Sequence, residues 1–161
     1  MKKVKLTKGK CALVDDEDFE YLNQFKWHVN KSGERYYAAR TLKKIKMHRI
    51  VMNTPIDMET DHINHNTLDN QKHNLRNVTK FENQRNRKCS NKNSTSKYLG
   101  VSLLKSFNGY KTYFYWQSQI RISGINKHLG LFKSEENAAI AYNIFAEKYY
   151  GQYSNLNKCQ P

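Results

Sequence analysis

Ten residues near the middle of the chain, DHINHNTLDN (Asp61–Asn70), hold two His, two Asp and three Asn, with little to bury. Two explanations compete. The stretch is either a polar turn that happens to hold histidines or part of a metal-assisted active site. A neutral imidazole, with an ordinary pKa of about 6.5, is a suitable general base at neutral pH. A carboxylate and an amide oxygen together can hold Mg²⁺, which keeps several waters and takes a substrate phosphate as a further ligand. One hard cation can then do the Lewis-acid work of phosphodiester hydrolysis without a full protein cage. Asp61 and His62 are adjacent, so within a strand they point to opposite faces and do not both face one metal. At a strand end entering a loop, they can reach around one phosphate.

The elements that must position them follow. LRNVT (Leu75–Thr79) is a short strand candidate. Thr79 and Glu82 form a T-x-x-E capping box, which predicts a helix from about Lys80. Its first turn carries Asn83. Two short strands, a loop and a helix can bring Asn83 beside Asp61. Upstream, Met1 to about Met47 reads as a β-rich supporting segment. KCALV is a strand candidate, Phe19, Leu22 and Phe25 sit at helical spacing, and KWHV and RYYAAR flank the turn NKSG as a hairpin.

These residues carry a resemblance. Asp61-His62, Asn74 followed by Leu75, and Asn83 in ENQRN resemble the HNH endonuclease family, in its phage and intron-encoded homing branch. From Asp61 the spacing is +1, +13 and +22, within MHRIVMNTP…DHINHNTLDNQKHNLRNVTKFENQRN. The resemblance covers about forty residues. It implies a ββα-metal core over 48–88, with Asp61 and Asn83 as metal ligands and His62 as the general base. Asn74 would be the structural Asn that ties the loop and orients His62 through the backbone. Mg²⁺, or another divalent cation such as Mn²⁺, would be the cofactor, with 5′-phosphate and 3′-hydroxyl products. His48 opens the family-like segment, where a phosphate-contacting or supporting role is open to it. His65 stands where the family more often has Gly. His73 reads as a surface residue.

Residues 98–161 read as a second domain. YLGVSLL, YFYWQSQIRI and NKHLGLF are strand candidates. A helix follows, with Ser134 as N-cap, Glu135 and Glu136 at its positive end, Gly151 at its stop and a small-residue face of Ala138, Ala139, Ala141 and Ala146. YLGVS, WQSQIRI, KHLGLF and EENAAIAYN resemble the plant APETALA2/ethylene-response DNA-binding domain, a three-stranded sheet on one helix that lies in the major groove. By position, Gln119, Arg121, Ser102, Tyr113 and His128 fall on DNA-contacting sites, with Lys127 as a phosphate contact. Leu99 and Ser102 stand where that family has Arg, and His128 where it often has an aromatic, so the fold carries over better than the base preference. Trp116 and Phe132 read as core.

Arg85–Lys97 spans the end of the predicted helix and a linker over 89–97. It holds five basic residues and no acid, with Arg85, Arg87, Lys88 and Lys92 as candidate DNA contacts. Extended, it would reach at most roughly 45 Å. A passive linker is the other reading.

The fold class expected is therefore α+β: an N-terminal β-rich segment, a ββα-metal core, and a sheet-on-helix domain. Composition agrees with a polyanion partner. Lys plus Arg number 28 against 14 acids, and the net charge of +14 is spread along the whole chain rather than confined to a tail. Three widely spaced cysteines without a CxxC pair exclude a zinc ribbon and argue against a disulfide framework. No apolar signal core follows the basic N-terminus, and no run is long enough to span a membrane. The expectation is a site-specific DNA endonuclease acting on double-stranded DNA in the cytoplasm of a bacterial or phage-infected cell, favoured as a monomer that would nick first, with a dimer able to cut both strands as the other reading. A DNA-binding regulator with a vestigial core is the alternative. A structural or RNA-binding protein fits the charge but not the motifs.

Overall fold

The computed structural model describes residues 1–40, 45–86 and 94–159. Two compact units divide the chain, Met1–Asn83 and Gln84–Pro161.

The first unit begins with β1 (Lys2–Lys5) antiparallel to β2 (Cys11–Val14). Alternation along both strands sends Val4, Ala12 and Val14 inward and Lys3, Lys5 and Cys11 outward. Helix α1 (Asp16–Asn23) opens on three acids, which suit the positive end of its dipole, and buries Leu22. The Trp27 indole N–H donates to the Leu22 carbonyl at 2.8 Å, so this large ring enters the core with its polar atom satisfied. β3 (His28–Ser32), β4 (Arg35–Arg40) and β5 (Ile45–Lys46) form a three-stranded antiparallel sheet. The β3–β4 register runs to Ser32 opposite Arg35, so the turn is Gly33-Glu34 and the expected turn residues Asn30, Lys31 and Ser32 belong to the strand. α2 (Met47–Val51) buries Met47 and His48. The core of the unit joins Val4, Leu6, Ala12, Val14, Leu22, Trp27, Ala38 and Met47, with Phe19, Phe25, Ile50 and Leu68 packed against it. The β-rich segment and the motif segment thus share one core.

Two further strands follow, β6 (Glu59–His62) and β7 (Leu75–Val78), paired antiparallel with Asp61 opposite Arg76 and His62 opposite Leu75. Helix α3 (Lys80–Arg85) comes next, and the division between the units falls within its last turn.

The second unit is the three-stranded sheet and helix expected from the sequence. β8 (Val101–Phe107), β9 (Thr112–Ile122) and β10 (Ile125–Phe132) run antiparallel with β9 central. α4 (Glu135–Tyr150) packs on one face. The Ser134 hydroxyl accepts from the Asn137 N–H at 3.1 Å as the N-cap, and Gly151 ends the helix at φ 53°. Ala138, Ala139 and Ala146 are fully buried against the sheet, while Ala141 is only half-buried. Trp116 and Phe132 pack against this core, as expected. β8 starts at Val101 rather than at Tyr98. Gly100, at φ +70°, turns the chain just before it, and a Cβ there would lie 2.1 Å from the Tyr142 ring. Among the described residues no helix is long and apolar enough to cross a membrane.

Candidate active site

The site is assembled by β6, the loop 63–74, β7 and α3. Each part is anchored by identifiable contacts. The Arg49 guanidinium on α2 donates to the carbonyls of Met58 (2.8 Å) and Pro55 (2.7 Å), fastening the turn that delivers β6. The loop after β6 is held from the N-terminal side. Leu13 N–H donates to Leu68 O and Asn70 N–H to Leu13 O, both at 2.8 Å. The Thr67 hydroxyl donates to Tyr36 O at 2.6 Å. Asp15 accepts from Gln71 Nε2 at 3.0 Å and from Lys72 N–H at 2.7 Å.

Asn74 lies at the far end of this loop and is buried. Its Oδ1 accepts from Asn64 N–H and its Nδ2 donates to Asp69 O, each at 2.9 Å. Its own carbonyl accepts from Ile63 N–H, also at 2.9 Å. One side chain and one peptide group thereby tie both ends of the loop, directly after His62. Asp69 accepts from Asn64 Nδ2 at 2.8 Å, adding a polar bond inside it. The density of Asn and Asp in the opening stretch thus has a structural use: buried Thr67, Asp69, Asn70 and Asn74 satisfy one another and the backbone in place of an apolar filling. His65 turns the loop at φ 63°, a left-handed conformation that glycine adopts without steric cost. That accounts for a Gly preference at this position.

Asp61 and His62 are both buried and, as strand neighbours, occupy opposite faces of β6. On the Asp61 face, Arg76 Nε and Nη2 donate to Asp61 Oδ2 at 2.9 and 2.8 Å. The same face carries Glu59, two residues earlier. The capping box forms as the sequence predicts: Thr79 N–H donates to Glu82 Oε2 at 2.8 Å, and Glu82 N–H to the Thr79 hydroxyl at 3.3 Å. Asn83 then sits one turn into α3, its N–H donating to Thr79 O at 3.0 Å, and its Nδ2 donates to Glu59 Oε2 at 2.5 Å. Asn83 is therefore brought to the face of β6 that carries Asp61.

On the other face, the His62 ring meets His48 on α2 edge-to-face, with centroids 4.9 Å apart, and Tyr37 on β4 lies against both. His62 Nε2 is 3.3 Å from Asn70 Oδ1, and Asn70 Nδ2 donates to Leu68 O at 3.4 Å. With the Asn70 amide oriented that way, the neutral His62 ring carries its proton on Nε2 and its lone pair on Nδ1. Burial holds the His62 pKa below the ordinary histidine value, against the raising effects of Asn70, Asp61 and Asp69. His48 is pushed down to about 3 by burial first, then by the positive charge of His62, Lys46 and Arg49. Both rings are neutral at pH 7.

The donor set suits a hard divalent cation. Asp61 offers carboxylate oxygen and Asn83 an amide oxygen, and among the described residues no group of three or more His, Cys, Asp or Glu gathers as a closed metal cage. A hard cation that retains its waters needs no such cage. Glu59, Asn70, Arg76 and Tyr37 also belong to this constellation, and sequence reasoning did not single them out. Arg76 and Glu59 owe their places to strand register. Asn70 owes its place to the path of the loop.

The second unit gathers several of its sequence-predicted contacts on one surface. Tyr113, Gln119 and Arg121 alternate on the face of β9 opposite to buried Ser118 and Ile120. Ser102 pairs with Gln117 and His128 with Gln119, so both share that face. Gln117 Nε2 lies 3.1 Å from His128 Nδ1, and Arg121 Nε donates to Gly124 O at 3.1 Å. Lys127 is placed differently. It pairs with buried Ile120, so it belongs to the helix side, where its ammonium lies over the Tyr149 ring. Arg85 is half-buried as the last residue of α3. Arg87, Lys88 and Lys92 lie outside the described residues.

A protein named as an HNH endonuclease from Acanthamoeba polyphaga mimivirus is 32% identical to this chain over 157 residues, covering 94% of the chain and 76% of that protein. No family model and no solved structure matches the chain.

Proposed function

The chain belongs to the HNH endonuclease family, and from that premise we propose that it is a site-specific, metal-dependent DNA endonuclease of the homing type. The observation that carries the reading is the convergence of Asp61, His62, Asn74 and Asn83 on one β6–loop–β7–α3 assembly, with Asn83 on the Asp61 side of the strand and His62 set apart from them.

In this reading Asp61 and Asn83 hold a divalent cation, Mg²⁺ or Mn²⁺. When bound, such an ion supplies Lewis-acid stabilisation of the charge that develops on the phosphate. His62 Nδ1 takes the proton of an attacking water as the water oxygen bonds to phosphorus. The P–O3′ bond breaks, and the departing 3′ oxygen takes a proton from solvent. The products are a 5′-phosphate and a 3′-hydroxyl. Asn70 holds the His62 tautomer. Asn74 fixes the loop that carries Asn70 and leaves His62. His48 and Tyr37 wall the ring and exclude bulk water around it.

The second unit supplies DNA targeting, with its APETALA2-like sheet face against the major groove, which admits a β-ribbon. Gln119 and Arg121 read base edges there. Ser102, Tyr113 and His128 flank them. Arg85, Arg87, Lys88 and Lys92 contact phosphates along the tether. Lys127, on the helix side, reaches a phosphate at the rim of the groove. The chain acts as a monomer on double-stranded DNA, nicking one strand per encounter, and works in the cytoplasm of a bacterial or phage-infected cell.

The test is incubation with supercoiled plasmid, with and without Mg²⁺. Wild-type protein should nick or linearise the plasmid only with the metal. His62→Ala should lose cleavage by about 10²-fold or more, the worth of a general base, while gel-shift affinity stays within about twofold. Metal-independent cleavage, or a fully active His62→Ala, sinks the assignment. Tight binding with no cleavage by wild type would make the chain a DNA-binding regulator on a vestigial core.

A further inference from the structure

We propose that Glu59 is a positioning residue for Asn83, fixing which end of the Asn83 amide is presented to a metal; the inference rests on the assignment of Asp61 and Asn83 as ligands. An asparagine amide has two unlike ends. The oxygen has lone pairs and can bind a cation, whereas the NH₂ group is a donor only. Rotation about the terminal torsion exchanges them, and the two orientations differ little in shape. A ligand asparagine therefore needs something that favours one of them.

Glu59 meets that need. An ionised carboxylate only accepts hydrogen bonds, so the end of Asn83 that faces it has to be the NH₂. Asn83 Nδ2 and Glu59 Oε2 lie within hydrogen-bonding distance, and a bond to an ionised acceptor is charge-assisted. With Nδ2 committed to Glu59, Oδ1 is turned away from that carboxylate. Position in the fold supports the pairing. Glu59 and Asp61 share a face of β6, and Glu59 lies opposite buried Val78, directly before the Thr79 cap that starts α3. Asn83 is thus held through its backbone to Thr79 and through its side chain to Glu59, both at one end of the β6–β7 pair. Glu59 is half-buried, so the contact is partly shielded from water.

The probe is Mn²⁺ alone, titrated calorimetrically into the full chain without DNA, with urea unfolding of every variant as a fold check. Hydrogen-bond partners of metal ligands are typically worth about 10–100-fold in affinity. Glu59→Leu should weaken Mn²⁺ binding by about tenfold. Glu59→Gln can meet Asn83 with either its oxygen or its NH₂, so it no longer forces one Asn83 orientation and should fall between wild type and Glu59→Leu. In an Asn83→Ala background, Glu59→Leu should cost nothing further, because its effect runs through Asn83.

A further loss from Glu59→Leu or Glu59→Gln in the Asn83→Ala background would make Glu59 a ligand itself and overturn the proposal. So would a Glu59→Leu variant that binds Mn²⁺ like wild type. Should Glu59→Leu fail to fold, the isosteric Glu59→Gln, compared with and without Asn83→Ala, decides between the two roles. Failure of the underlying metal reading looks different: wild type takes up no Mn²⁺, or Asp61→Ala takes it up as well as wild type does, and then both fall.

Discussion

At the scale of single residues, the buried histidine pair sets a condition on pH. His48 and His62 are each about 5% exposed and face one another, so charging either means placing a cation beside its neighbour in a poorly hydrated space. Burial is the main reason that both pKa values lie below the ordinary value, and for His48 the value falls to about 3. The consequence for stability has a definite sign. Above about pH 6.5 both rings are neutral in folded and unfolded chains alike, and the contribution is fully present. Below it the unfolded chain takes up protons that the folded chain refuses, so stability falls as pH drops toward about 3. The slope for His48 approaches roughly 1.4 kcal/mol per pH unit. Between pH 6.5 and 4.5 most carboxylates are still ionised, so this window isolates the histidines. Urea unfolding monitored by Trp27 fluorescence, in a Trp116→Phe background, should show stability declining across it. His48→Gln should make the decline shallower, even if it lowers stability at pH 7. A profile that is flat from pH 6.5 to 4.5 in the unaltered chain would contradict the burial argument.

At the scale of elements, α3 delivers Asn83, and a short helix depends heavily on its cap. Six residues are too few to be helical alone in water. The Thr79–Glu82 box therefore holds the helix that presents Asn83, the proposed ligand. Thr79→Ala should cost about 1 kcal/mol of stability, as cap removal does. It should also weaken Mn²⁺ binding more than an exposed alanine substitution such as Lys80→Ala, which leaves the cap intact. Equal effects from the two would separate the cap from the site. This box was legible in the sequence because both its members lie within one turn. The Ser134 cap and the β9 alternation were legible for the same local reason. Other features were not. Polar Asn30–Ser32 has no apolar rhythm and reads as a turn, although its backbone continues the hairpin. Tyr98–Gly100 shared the apolar character of β8, yet Gly100 takes a conformation that interrupts a strand. Arg76 and Glu59 lie 15 and 24 positions from the residues they bond, Asp61 and Asn83. Their roles appear only once β6 and β7 are paired in register and α3 is packed on them. The spacing of Asp61, His62, Asn74 and Asn83 marks the candidate site, while the contacts that orient it are nonlocal.

At the scale of the whole molecule, charge and sheet surface would make separable contributions to the proposed DNA binding. The net charge of +14 includes twelve Lys and Arg against three acids in the second unit, so that unit carries most of the excess. Phosphate neutralisation releases condensed counterions, and a protein making six to ten phosphate contacts loses about 10³–10⁵ in affinity between 50 and 200 mM salt. Fluorescence anisotropy with a mixed-sequence 30-base-pair duplex (a length of about three helical turns) should show a fall of that order, and a shallow dependence would count against extensive phosphate contact. Base reading is a different matter. Arg121 is exposed on the face of β9 that also carries Gln119, and a good bidentate contact to a base is worth about 1–3 kcal/mol against the wrong one. Lys127 lies on the helix side, where only a phosphate is within its proposed reach. The two substitutions should therefore diverge when bound duplexes are selected from a random-sequence pool. Arg121→Ala should broaden the selected sequences while changing the salt slope little. Lys127→Ala should leave the selected sequences alone and make the slope less steep by about one. An Arg121→Ala variant that loses affinity equally for every sequence would reduce Arg121 to a backbone contact, and the reading of bases would then have to rest on Gln119 and its neighbours on the same face.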